Sequence, residues 1–145
     1  MPDFISNTSC LILLSKIQKL HLLKDIYGSI IITNTVHDEF GEELPDFFIL
    51  KNVSENSNLI RLSKLLDPGE ASTIALGLEI KESTLILDDY KARNIAKKLD
   101  LKFTGTLGIL HKASKSGLLP DLKSEIIKLK ENGFWISDEI INSLT

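Results

Sequence analysis

Two adjacent carboxylates, Asp88 and Asp89, close the apolar run Leu85-Ile86-Leu87, and a basic, helix-forming stretch with Lys91 and Arg93 follows. A short apolar run bounded by polar residues suits a buried strand. In open α/β sheets, ligands bind in the crevice beyond the carboxyl ends of the strands. Acids at such a point either cap the next helix or help to hold a cation. Neighbouring carboxylates repel, and a cation relieves that cost. Similar chemistry recurs where other strands should end: Asn7, Asn34 or Thr35, and Thr104-Gly105-Thr106. Glu70, in the first turn of a helix, and Glu39, one helical turn past a strand, complete the set. Carboxylate, carbonyl and hydroxyl oxygens suit a hard cation such as Mg2+ or Mn2+.

Each of these residues also has a purely structural use. Asp67-Pro68-Gly69-Glu70 is an acidic variant of the capping box, with Asp67 as N-cap, Pro68 at N1 and Glu70 at N3. A carboxylate bent back to the N-cap amide points away from a shared site. Asp89 can cap the helix from Tyr90, and Thr106 can cap the next one while its hydroxyl bonds a metal-bound water. Asn7 is likewise a good cap, and Glu39 suits a solvated surface. Lys91, Arg93, Lys97, Lys98, Lys102, Lys112 and Lys115 form either a solvated helix face or a phosphate-backbone contact. His21, His37 and His111 show no zinc-type spacing. No P-loop, dinucleotide fingerprint or nucleophile-elbow pattern is present.

The elements that must position these groups alternate along the chain. Phe4-Ile5-Ser6 predicts a first strand, and the apolar spacing from Leu11 to Ile26 predicts one helix or a broken pair ending near Gly28. Ser29–Thr33 is a β-branched strand, and a short helix capped by Asn34 or Thr35 stops at Gly41. Residues 42–58 are the least regular, with an edge strand within Phe47–Val53 and a loop over 54–58. Helices are predicted from Leu59 to Leu66 and after Asp67, a strand over 84–87 and a helix over 90–99. Lys102-Phe103-Thr104 is a brief strand before a helix that ends at Gly117. Pro120 begins another helix, closed by Asn132-Gly133, and Ser137 caps the last. This alternation predicts an α/β fold of one domain, residues 1–145, with a mainly parallel sheet between helical layers.

The bulk numbers fit that expectation. The chain has 145 residues, 43% hydrophobic and 26% charged, with a net charge of −3 that provides no global attraction to nucleic acid. Cys10, the one cysteine, excludes an intrachain disulfide and sits in an apolar run as core rather than nucleophile. No segment is long enough for a membrane span, and Met1-Pro2-Asp3-Phe4 lacks the basic start of a secretory signal, so a soluble cytoplasmic protein is expected.

Four motifs in order, Asn7-Thr8-Ser9, Asp67-Pro68-Gly69-Glu70-Ala71 with Ile74-Ala75-Leu76, Leu87-Asp88-Asp89 with Ala92-Arg93, and Thr104-Gly105-Thr106-Leu107-Gly108, resemble the PIN-domain superfamily. Within it the chain is similar to a toxin-like, PIN-like branch of prokaryotic proteins. The resemblance implies a three-layer α/β/α fold whose acidic pocket binds Mg2+ or Mn2+ and cuts RNA. It also implies a candidate antitoxin partner and a candidate homodimer. Carried over, the first-strand acid position falls on Asn7, the acid after the second strand on Glu39, and the later helix acid on Glu70. The strand-end acid falls on Asp89 with Asp88 beside it, and the last polar position on Thr106. Glu70, Asp88 and Asp89 would hold the metal, Asn7 and Thr106 would orient waters, and Lys91 or Arg93 would contact the RNA backbone. Asn7 departs from the general pattern, which has Asp there, and a neutral amide donates less charge. A non-catalytic module that binds nucleic acid or protein is therefore the alternative. A receiver-like phosphoacceptor is the third, but receivers carry their acid pair after the first strand, where this chain has Ser6-Asn7-Thr8.

Overall fold

The structure, a computed structural model, describes residues 3–54 and 56–144. Five strands form one all-parallel sheet: β1 (Asp3–Ser6), β2 (Ile30–Ile32), β3 (Phe48–Leu50), β4 (Ser83–Ile86) and β5 (Lys102–Thr104). Their spatial order is β3-β2-β1-β4-β5. The chain therefore winds outward from β1 in one direction through β2 and β3, then crosses back to β4 on the other side. That reversal between β1 and β4 is the topological switch point, where a crevice opens at the carboxyl edge. Asn7 follows β1 and Asp88-Asp89 follows β4, so the candidate residues flank it.

Nine helices among the described residues connect or cover these strands: α1 (Thr8–Lys16), α2 (Leu22–Tyr27), α3 (Asn34–Phe40), α4 (Ser57–Ser63), α5 (Pro68–Glu79), α6 (Tyr90–Lys98), α7 (Thr106–Lys115), α8 (Leu122–Glu131) and α9 (Asp138–Leu144). The period-two alternation of strand side chains sends Ile30, Ile32 and Ile86 to one face and Ile5, Ile31, Leu85 and Leu87 to the other. The first face packs on Cys10, Leu11 and Leu14 of α1, Leu22 and Leu23 of α2, Ile109 and Leu110 of α7, and Ile126 and Leu129 of α8. The second packs on Leu62 of α4, Ala71, Ile74 and Ala75 of α5, and Ala92 and Ala96 of α6. This is the expected sheet between two helical layers. No helix among the described residues is long and apolar enough to cross a membrane.

Several boundaries differ from the sequence expectation, each for a local reason. The apolar stretch from Leu11 to Ile26 is two helices, because α1 ends at Gln18 in a left-handed conformation, φ 59°. The Lys19 amide there donates back to the Leu14 carbonyl at 2.8 Å, the reach-back bond of a Schellman ending. Thr33, not Asn34 or Thr35, caps α3, accepting from the Val36 amide at 3.1 Å. α4 starts within the stretch expected to be loop, because Asn56 accepts from the amides of Asn58 and Leu59; Glu55 of that stretch lies outside the described residues. Asp121, not Pro120, begins α8, accepting from the Ser124 amide. β3 is an edge strand, as expected, and Ser137 caps α9 through the Ile140 amide.

Candidate active site

An open cleft of about 510 Å³ lies at the carboxyl edge of the sheet, and its wall includes Asp67, Glu70, Asp88 and Asp89. The structure thus brings together the three acids singled out as metal ligands and adds a fourth. Two elements present them. α5 begins at the cleft because Asp67 caps it, its Oδ1 accepting from the Glu70 amide at 2.9 Å, with Pro68 at N1. β4 ends there, and Asp89 caps α6 by accepting from the Ala92 amide at 2.9 Å.

Asp88 is held differently. Its Oδ1 accepts from the Thr106 backbone amide at 2.8 Å, and its Oδ2 accepts from the Thr106 hydroxyl at 2.5 Å. Thr106 is therefore not the cap expected of it. It is the first residue of α7, Gly105 occupies the N-cap position with no side chain, and Asp88 satisfies the Thr106 amide from the end of the neighbouring strand. The positive end of α7 favours that anion. Gly105 is glycine because a Cβ there would sit 2.7 Å from both the Asp88 Oδ1 and an Arg93 terminal nitrogen.

Glu70 carries the strongest electrostatic signal. Burial, reinforced by the negative charges of Asp67 and Asp89, pushes its carboxyl up to about 7; the Asp67 backbone amide opposes the shift. The capping bond of the structure runs from the Glu70 amide to the Asp67 carboxylate, and the Glu70 side chain lies in the cleft wall. A carboxylate raised by burial, and further by two neighbouring acids, would be relieved by a cation. Lys16 of α1 is the one cationic side chain among the described residues in the wall.

The remaining expected residues stand off the cleft wall. Glu39 accepts a 2.5 Å hydrogen bond from the Thr8 hydroxyl and lies against Gly69, where a Cβ would collide with its carboxyl. It links the starts of α1 and α5 beside the acids. Asn7 is buried, yet among the described residues neither its amide nitrogen nor its carbonyl oxygen has a hydrogen-bond partner. Buried amides are nearly always satisfied, so this side chain is an exception that calls for a role. Its expected capping bond to α1 does not form. Arg93 is committed: its Nε donates to the Leu87 carbonyl at 2.8 Å and its guanidinium lies 5.0 Å over the Phe103 ring. It braces the end of β4. Lys91 is exposed on the first turn of α6. Cys10 is fully buried, and burial together with the Asp88 charge pushes its thiol far up, which fits core and not a nucleophile.

Sequence reasoning missed Asp67 as a wall residue, along with Lys16 and the Asn132-Gly133-Phe134 turn. Asp67 was legible only as a cap, and the cap consumes one of its two oxygens. Lys16 and the turn come from elements distant in sequence, which no local pattern could join.

The donor set fits a divalent cation in charge and in kind: four carboxylates, one of them destabilised as an anion by burial and by the charges of Asp67 and Asp89. As they stand, no three His, Cys, Asp or Glu side chains among the described residues converge on one metal-sized point. Mg2+ takes only one or two protein carboxylates and keeps its waters, so a tight protein cage is not required. No curated protein and no solved structure matches the chain. A family described as PIN domain matches it over residues 3–145, nearly the whole length, with the parallel sheet and the acidic cleft at its carboxyl edge both in place. The chain belongs to the PIN-domain family.

Proposed function

We propose that this protein is a metal-dependent endoribonuclease of PIN type, with the acidic cleft as its active site. The observation that supports this most is the gathering of Glu70, Asp88 and Asp89, with Asp67, at the switch point between β1 and β4. Glu70, Asp88 and Asp89 would hold Mg2+ or Mn2+. When bound, such an ion supplies a water of lowered pKa and neutralises charge developing on a phosphate. Thr106 fixes the Asp88 carboxylate through two hydrogen bonds, so that the group keeps its orientation without metal. Asp89 turns one oxygen to the α6 amide and leaves the other free. Burial and the charges of Asp67 and Asp89 raise the Glu70 carboxyl in the metal-free cleft, so a bound cation would compete with its proton. Lys16 in the wall and Lys91 beside it supply charge for the RNA backbone, while Arg93 acts by positioning β4. The family makes a toxin role with an antitoxin partner, and a homodimer, part of the same reading, in a cytoplasmic setting that the single buried cysteine suits.

Asn7 favours a second reading, a module that binds RNA or protein without cutting it. A neutral amide stands at the first-strand position, and both its polar atoms are unpartnered. The deciding experiment incubates end-labelled RNA with the purified protein in Mn2+ or in chelator. Cleavage that needs Mn2+ and falls at least a hundredfold in Glu70→Gln and Asp88→Asn supports the nuclease. RNA binding with no cleavage under any metal supports the module.

A further inference from the structure

We propose that Tyr90 and Trp135 are base-stacking residues that hold the nucleotides on either side of the phosphate seated in the acidic cleft. The inference rests on the nuclease reading of that cleft and adds residues that recognise the substrate. Among the described large hydrophobic side chains, Trp135 at 81% and Tyr90 at 79% exposure are far more open than the rest; the next, Ile60, is 60% exposed. Each directly follows a residue of the cleft wall: Tyr90 follows Asp89, and Trp135 follows Phe134. Two different stretches of the wall are therefore each followed directly by an open aromatic ring.

Both rings are presented from fixed backbone. Tyr90 is the first residue of α6, between the cap Asp89, bonded to the Ala92 amide, and the buried Ala92. Trp135 lies between Phe134 and Ile136, which both belong to the core on the α1 and α8 side of the sheet. The Phe134 amide also donates to the Leu129 carbonyl at 3.0 Å. With its neighbours turned inward, the indole has nowhere to go but out. Leaving such rings in water forfeits their burial energy, and the chain gains nothing structural from it.

The chemistry that suits this layout is an unpaired base. Aromatic rings accept stacked bases of any sequence, whereas bases already stacked in a duplex are not available to them. The cleft between would take the phosphate once a divalent cation offsets its four carboxylates, a charge that Lys16 alone does not balance.

The chain's single tryptophan makes the test direct. A twelve-nucleotide single-stranded RNA and the matching duplex are titrated into the full chain with Ca2+ present, following tryptophan fluorescence. Saturable quenching by the single strand is expected, with the duplex bound at least tenfold more weakly. Tyr90→Ala should weaken binding about tenfold and Tyr90→Phe should not, since the ring and not the hydroxyl does the work. Trp135→Ala, followed through labelled RNA, should lose a similar factor with its unfolding curve unchanged. No change in fluorescence with RNA, equal binding of the duplex, or alanine variants that bind as the wild type does would each overturn the proposal. The two readings fail separately. RNA that quenches Trp135 yet is never cut removes the nuclease and leaves the stacking residues. RNA that is cut in Mn2+ with unaltered KM in both alanine variants removes the stacking residues and leaves the nuclease.

Discussion

Asp88 at the end of β4 caps α7 through Thr106, taking both the backbone amide and the hydroxyl of that residue. One contact thus joins the end of one strand to the start of the helix after the next. A bond of this charge-assisted kind contributes on the order of 1.5–3 kcal/mol. Replacing Thr106 by Val keeps the shape, removes the hydroxyl and leaves the Asp88 Oδ2 without that donor. Urea unfolding should show Thr106→Val less stable by about 2 kcal/mol and Thr106→Ser within about 1 kcal/mol of wild type. A loss in Thr106→Ser with none in Thr106→Val would mean that the methyl group, and not the hydrogen bond, matters.

Glu70 predicts an inverted pH dependence of stability. Its carboxyl is raised from 4.5 to about 7, first by burial and then by Asp67 and Asp89. The folded chain holds this proton more tightly than the unfolded one. The contribution is therefore fully present below pH 4.5 and is lost as pH rises through 7. Glu70 is only partly buried, so after solvent screening the loss is about 1 kcal/mol. Without divalent cations, Glu70→Gln should flatten the stability profile between pH 5 and pH 8 by about that amount. A variant whose profile parallels the wild type would show that the crowding is relieved in some other way.

Gly105 should tolerate no side chain. A Cβ would meet Asp88, Arg93 and, at 3.2 Å, the Leu87 carbonyl. The Arg93 tip can swing aside, but the Asp88 oxygen is bonded and the carbonyl is backbone. Gly105→Ala should cost about 1–2 kcal/mol in chemical unfolding and lower cleavage by more than that loss of folded protein explains. Wild-type activity in the alanine variant would show that the position of Asp88 is not critical.

Much of this site could be seen in the sequence because its parts are local. Asp67, Pro68 and Glu70 announce the start of α5, and Leu85-Ile86-Leu87 followed by two acids announces a strand end. The parallel sheet follows from the alternation of strands and helices. The rest depends on contacts across the fold. That Asp88 serves α7 instead of its own helix needs β4 and β5 side by side. That Arg93 is occupied by Leu87 and Phe103 cannot be told from a basic run, nor can the placing of the Asn132–Phe134 turn in the same cleft wall as the start of α5. The end of α1 was hidden for a simpler reason: Gln18 fills a left-handed position where glycine is the usual signal.

Gln18 and Asp100 both sit at φ near 59°, ending α1 and α6 where Gly117 and Gly133 end α7 and α8. A side chain in that conformation costs roughly 1 kcal/mol relative to glycine, partly offset by glycine's freedom in the unfolded chain. Gln18→Gly and Asp100→Gly should each raise stability by about 0.5–1 kcal/mol in thermal unfolding, since neither side chain has another duty at the cleft. A loss of stability in either would point to a contact the residue makes beyond its backbone.

Everything proposed for catalysis requires that the cleft bind a divalent cation to the native state. The direct measurement is thermal unfolding during a Mn2+ titration at pH 8, for the wild type and for Glu70→Gln combined with Asp88→Asn. Binding confined to the folded state stabilises by about 2.7 kcal/mol at a hundred times the dissociation constant. The midpoint of the wild type should climb steadily with Mn2+, and that of the double variant should stay level. A wild type that does not respond, or a double variant that climbs equally, would contradict the assignment of these carboxylates as a metal site.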